Sequence, residues 1–177
     1  GEDESICGQC RHRGTPTFDP LKKLAEGRTC YVTLGQGPLI VFDAFIAGKY
    51  PVASPRTVGR KRKVRIGTYG DGAAAPRYVW DELLSEAEGH TAYTHNGGDP
   101  AIYMVSVDTL AEAKAAWASN HRTFRVIPIG VAPEPEETMC PSLKGVHCED
   151  CLLCDGEHPT AKSIAIPVHG SGAVHFQ

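Results

Sequence analysis

The sequence contains no apolar run approaching the roughly 18 to 20 residues that a helical membrane span requires, so a spanning helix is excluded. Neither sign of charge dominates. The 18 Lys and Arg stand against 21 Asp and Glu, a formal net charge of −3, which gives no general electrostatic case for nucleic acid or an anionic membrane as partner. There is no Walker-type phosphate loop and no Gly-x-Ser-x-Gly nucleophile elbow. The "GQG" at 35–37 is too short to be a dinucleotide fingerprint. The opening "GEDESICGQC" is acidic and polar, unlike a signal peptide, which leaves a reducing cytoplasm as the expected compartment. No disulfide logic is obvious either. Seven cysteines are an odd number, which leaves at least one thiol outside any set of intrachain disulfides, and in a reducing compartment their CxxC-type spacings read as metal or cluster ligands before disulfides.

What is present is ordinary in bulk. A chain of 177 residues, 41% hydrophobic and 22% charged, fits one domain with a cysteine-rich appendage. "VRIGTY" (64–69), "HTAYTH" (90–95), "AIYMVSVD" (101–108), "RTFRVIPIGV" (122–131) and "KSIAIPVHG" (162–170) have strand character. "PRYVWDELLSEAE" (76–88) and "TLAEAKAAWASN" (109–120) have helical spacing, and Trp117 in the second fits a packing face. The stretch 30–48 mixes both patterns around a Gly-rich turn, and 51–63 reads as a polar loop. The alternation predicts an α/β fold, a partial (β/α) barrel or an open, mostly parallel sheet. Residues 1–135 would form that core with an N-terminal cysteine group. Residues 136–177 would form a cysteine-rich segment with a final strand, packed on it.

Parallel α/β folds gather chemistry at the carboxyl ends of their strands. That rule selects Thr68 to Gly72 after the first strand, Thr94 and His95 after the next, Ser106 to Asp108 after the third, and Pro128 after the fourth. Each has a plain structural account: Asp71 as a turn residue, Asp108 as a helix N-cap, His95 as a polar strand end. The basic run Arg60–Lys63 is a lead-in to a strand or a phosphate contact.

The late cysteines are spaced Cys140-x7-Cys148-x2-Cys151-x2-Cys154, compact for two zinc knuckles and well suited to the separate iron corners of a 4Fe–4S cluster. His147 and His158 keep zinc as an alternative, and His169 and His175 either approach this group or belong to a surface tail. The early group is Cys7, Cys10 and Cys30. Three thiols leave one iron of a cluster open, or leave a zinc ion needing water or a histidine such as His12. One or two clusters are therefore expected.

"TCYV" after a CxxC pair, then "VRIGTYGDGAAAPRYVWDEL", "TAYTH", "YMVSVD", "RVIPIG" and "CPSLKGVHCEDCLLCDG", come in an order that resembles small phage-type cysteine-rich proteins. These in turn resemble reduced radical S-adenosylmethionine proteins. The likeness spans roughly residues 7 to 170 and rests on short motifs. It implies a 4Fe–4S cluster on Cys7, Cys10 and Cys30 whose open iron takes S-adenosylmethionine. Tyr31 would lie beside the adenine, Gly70 and Asp71 would meet the cofactor's amino group, and Ser106 and Asp108 the ribose. The family's usual Cys-x3-Cys-x2-Cys spacing is replaced here by Cys-x2-Cys-x19-Cys, so residues 11–29 have to loop out for Cys30 to join. Besides the radical enzyme, two further readings are an iron–sulfur redox or regulatory protein that binds a host partner, and a zinc-stapled adaptor for nucleic acid or protein.

Overall fold

Every pairing between the seven strands described below is parallel. The computed structural model describes residues 6–17, 19, 21, 25–30, 32, 36–156 and 161–169. The strands are β1 (Lys63–Arg65), β2 (Gly89–Thr91), β3 (Tyr93–Thr94), β4 (Met104–Val107), β5 (Thr123–Ile127), β6 (Glu137–Met139) and β7 (Ser163–Pro167). The helices are α1 (Gln36–Ile46), α2 (Pro55–Gly59), α3 (Arg77–Leu84), α4 (Leu110–Ala118) and α5 (Cys148–Cys151). β1 pairs with β2, and the other five run in the order β3-β4-β5-β7-β6. Residues 89–94 belong to both sheets, with Ala92 as the junction. Its carbonyl accepts from Met104 N at 3.0 Å, while its N–H turns away to the Cys154 carbonyl at 2.7 Å. The fold class is therefore α/β with parallel sheets, and β7 lies inside the larger one.

Several elements are shorter than their sequence pattern, for local reasons. β1 stops at Arg65 because Gly67, two residues on, adopts a positive φ of 82°. β4 begins only at Met104 because Asp99 first closes a turn, its side chain taking Ala101 N (2.8 Å) and its carbonyl taking Ile102 N and Tyr103 N. The ambiguous 30–48 stretch supplies α1, with Pro38 in its first turn, where no hydrogen bond is lost. Its apolar side chains Leu39, Ile40, Phe42, Phe45 and Ile46 are exposed. The expected loop at 51–63 holds the short α2 instead. Ser54 caps it by accepting from Thr57 N, and Pro55 opens it. Gly59 closes it for a steric reason, since a Cβ there would lie 1.8 Å from the Leu83 carbonyl of α3. The basic run then leads into β1, with Arg60 against Glu86 (3.2 Å) and Lys63 against Asp150 (3.8 Å).

The register gives the larger sheet two chemically different faces. Arg125 of β5 stands opposite Ala165 of β7, and Ser163 of β7 opposite Glu137 of β6, so these four share one face. Helix α4 covers that face through Trp117, whose Nε1 donates to Thr123 Oγ1 (3.0 Å) and Ser163 Oγ (2.9 Å). The small side chains of Ser163 and Ala165 leave room for Arg125 to reach Glu137 across β7. The contact is bidentate, Nε to Oε1 at 2.8 Å and Nη2 to Oε2 at 2.6 Å, with the glutamate fully buried. The opposite face carries Phe124 and Ile164, and Tyr93 stacks on Phe124 with ring centroids 4.5 Å apart. Met104, Ile127 and Ile164 are fully buried, each contributing roughly 1.5 to 3 kcal/mol.

A smaller cluster of Ile66, Ala92, Ile102 and Tyr103 packs against Trp80 and Leu84. Here Tyr103 is anomalous. Its hydroxyl is buried with no hydrogen-bond partner among the described residues, because the neighbouring Trp80 Nε1–H is given to the Gly72 carbonyl (2.9 Å). Burial, followed by the charge of Asp71, pushes the phenol up to about 12. An unsatisfied buried hydroxyl costs about 1 to 3 kcal/mol, so Tyr103→Phe is expected to leave stability unchanged or raise it by about 1 kcal/mol. Urea unfolding of the two proteins measures this; a loss above 1 kcal/mol would mean the hydroxyl has a partner.

Candidate metal centres

The carboxyl ends of β1, β3 and β4 open on one rim, and the N-terminal segment lies across it. Asn96, just past β3, clamps the Cys7–Cys10 turn, its Oδ1 accepting from Gln9 N (2.7 Å) and its Nδ2 donating to the Cys7 carbonyl (2.9 Å). Ile6 is held to the loop after β1 by Asp71 N (2.9 Å). A side chain at Gly70, where φ is 108°, would put a Cβ 2.5 Å from the Ile6 carbonyl, so only glycine permits this approach. Cys30 folds back onto the same segment: the His12 carbonyl accepts from both Thr29 N (3.2 Å) and Cys30 N (3.1 Å). Thr15 and Glu26 form a single antiparallel bridge that closes the loop between them.

On this rim Asp108 is the centre of charge. It is not the helix cap. Thr109 caps α4 in a capping box with Glu112, and Glu112 also accepts the Asp108 N–H at 2.9 Å. The Asp108 carboxylate is thereby left for other partners. His12 Nε2 lies 3.1 Å and His95 Nε2 3.8 Å from its Oδ1, and Arg11 Nε lies 3.2 Å from its Oδ2. The two imidazoles meet edge to face with centroids 4.8 Å apart. His12 and then His95 hold Asp108 well below the usual carboxylate range, against its partial burial. Burial works against a charged His95, but hydrogen bonds to Asp108 and Cys10 outweigh it and raise the imidazole to about 9. Burial likewise opposes a Cys10 thiolate. The hydrogen bond from His95 and the backbone N–H of His12 overcome it, so the thiol falls below its ordinary value.

The residues assigned through resemblance are distributed unevenly. Cys7, Cys10, Cys30, Gly70, Asp71 and Asp108 all border the rim. Asp71 already holds Ala73 N (3.0 Å) on Oδ1 and His95 N (2.8 Å) on Oδ2, capping the 3-10 turn Gly72–Ala74. Ser106 sits within β4 opposite Phe124. Tyr31, His158 and His175 lie outside the described residues. His169 is exposed, with Nδ1 2.8 Å from the Pro167 carbonyl.

The second centre lies on the face opposite α4. Cys140, Cys148, Cys151 and Cys154 line one small pocket together with Val146, Leu153 and Ile164. Cys140 is fixed by its N–H to the Ala165 carbonyl (2.8 Å), Cys154 by its carbonyl to Ala92. Between them Leu152, in the left-handed region at φ 52°, ends α5 and turns the chain inward. Arg122 ties down the far side, donating to the carbonyls of Leu153 (2.6 Å), Gly156 (3.2 Å) and Lys162 (2.9 Å) and to Asp155 (3.1 Å). Burial first, then the like charges of Cys140, Cys151 and Cys148, push the Cys154 thiol up to about 12. That mutual repulsion is what a bound cation would reverse, and four thiols around an apolar-walled pocket are a donor set for a soft metal or an iron–sulfur cluster. His147, at the start of α5, is exposed.

Comparison with known proteins decides nothing here. No protein-family model, no curated protein and no solved structure matches this chain. The sequence patterns missed Asn96 and Arg122, which act by holding backbone and carry no motif. They named His12 only as a zinc alternative, although its position two residues after Cys10 is the visible signal.

Proposed function

We propose that this chain is an iron–sulfur protein in which Cys140, Cys148, Cys151 and Cys154 hold one 4Fe–4S cluster. The observation that carries the reading is their convergence on one pocket, with the Cys154 thiol feeling the charge of all three others. Their sequence spacing, Cys-x7-Cys-x2-Cys-x2-Cys, favours a cluster over zinc: it is compact for two zinc knuckles, whereas a cubane offers its irons at separate corners that successive short loops can reach.

A second reading concerns activity. The return of Cys30 to the His12 carbonyl, beside Cys10 and on the carboxyl rim, favours a further cluster on Cys7, Cys10 and Cys30 of the radical S-adenosylmethionine type. Such a cofactor supplies reductive carbon–sulfur cleavage, and the protein orients it. In this chain Asn96 and Gly70 would fix the cysteine turn, while Asp71 would act through the loop backbone that it holds. Both readings meet one experiment: iron, acid-labile sulfide and zinc per chain on protein purified without oxygen, followed by incubation with S-adenosylmethionine and reductant. About four iron and four sulfide supports the C-terminal cluster alone, and about eight of each supports both. Zinc without sulfide would end the iron–sulfur reading. Eight iron with no S-adenosylmethionine bound or cleaved would leave a redox or regulatory protein.

A further inference from the structure

We propose that His12, His95 and Asp108 form a binding site for one divalent transition-metal ion. The three donor atoms lie within 4.8 Å of one another. Both imidazole Nε2 atoms converge on one carboxylate oxygen, Asp108 Oδ1, at 3.1 and 3.8 Å. An ion held at about 2.0 to 2.2 Å by nitrogen and oxygen keeps such ligands about 3 to 3.4 Å apart, so a small closure of partly exposed side chains completes the fit.

The surroundings orient the ligands. His12 Nδ1 is 2.7 Å from Thr29 Oγ1, which fixes the ring with Nε2 facing inward, as outer partners of metal-bound histidines do. Arg11 occupies Asp108 Oδ2 at 3.2 Å and leaves Oδ1 to the site, and Glu112 anchors Arg11 in turn at 2.8 Å. The ligands come from three separate parts of the chain: the N-terminal segment, the end of β3 and the end of β4. With side-chain exposures of 26%, 24% and 32%, the cluster faces solvent on one side. Two imidazoles and one carboxylate leave further positions open to water or a small oxygen or nitrogen ligand, the ligation suited to Fe(II) and also to Zn(II) or Mn(II). The site uses no cysteine, and it adjoins the Cys7, Cys10 and Cys30 group through the hydrogen bond of His95 to Cys10.

Co(II) is a suitable probe. The 177-residue chain, purified without oxygen, is titrated with Co(II) alone and the bound metal is examined by high-spin EPR and cobalt X-ray absorption. The expected result is about one cobalt with only nitrogen and oxygen in its first shell, in addition to any sulfur-bound cobalt. In His95→Gln and in Asp108→Asn the affinity for that cobalt falls at least roughly tenfold, with the iron and sulfide of the C-terminal centre unchanged. The proposal is overturned if all bound cobalt carries sulfur, if none binds, or if both variants keep the nitrogen/oxygen-bound equivalent. The wild-type first shell decides even where a variant fails to fold. Loss of the iron–sulfur reading would show instead as absent sulfide in the untreated protein, a separate measurement.

Discussion

Cys154→Ala is expected to lose the iron and sulfide of the C-terminal centre, about four of each per chain, while Cys7→Ala keeps them. Cys154 is partly buried, and the other three thiols all act on it electrostatically. Its backbone tie to Ala92 survives the substitution, because the bond uses the carbonyl and not the sulfur. The variant therefore separates ligand loss from loss of the chain path. Binding free energy at a structural metal site is also folding free energy. The apo segment 140–156, held otherwise by Arg122 and a few backbone bonds, should unfold at lower temperature than the loaded protein. Metal and sulfide analysis with anaerobic thermal unfolding measures both effects. Full iron retention in Cys154→Ala would remove the pocket as the cluster site.

Glu137→Ala is expected to destabilise the fold by about 3 to 5 kcal/mol, since it leaves the Arg125 guanidinium buried without its counter-charge. Two charge-assisted hydrogen bonds disappear together, and the Glu134 N–H loses its acceptor at 3.0 Å as well. The double variant Arg125→Met, Glu137→Leu should recover most of the loss, because apolar residues of similar volume remove the desolvation cost along with the attraction. Urea denaturation with a comparison of slopes gives the difference. A loss below 1 kcal/mol in Glu137→Ala would mean that water reaches the pair. Such an ion pair does more than stabilise, since it fixes β6 against β5 across β7 and so sets where Cys140, one residue beyond β6, begins.

The strand and helix order of the middle of the chain was legible because residues 64–127 carry clear apolar periods and turn residues between them. Boundaries failed where a side chain outside the period intervened, as Asp99 does before β4 and Gly67 after β1. β6 was invisible: "ETM" is three residues long with a buried glutamate at its start, and it becomes a strand only because β7 lies beside it. The helix α2 was hidden in a stretch rich in polar and Pro residues, and its signal was a cap at Ser54 followed by Pro55.

The candidate sites divide the same way. Cysteine number, spacing and the rule that chemistry gathers at the carboxyl ends of parallel strands pointed to two thiol groups and to His95 and Asp108 from composition and order alone. The pairing of those residues was decided by tertiary structure. Asp108 was released from capping by Thr109, and His12 was brought to it across 96 positions of sequence by the fold-back of the N-terminal segment. The four late cysteines share a pocket because the register leaves the face opposite α4 open for residues 140–156 to cover. Local pattern specifies which residues have metal-binding chemistry. Distances between groups far apart in sequence depend on strand register and on backbone hydrogen bonds, and no periodicity records either.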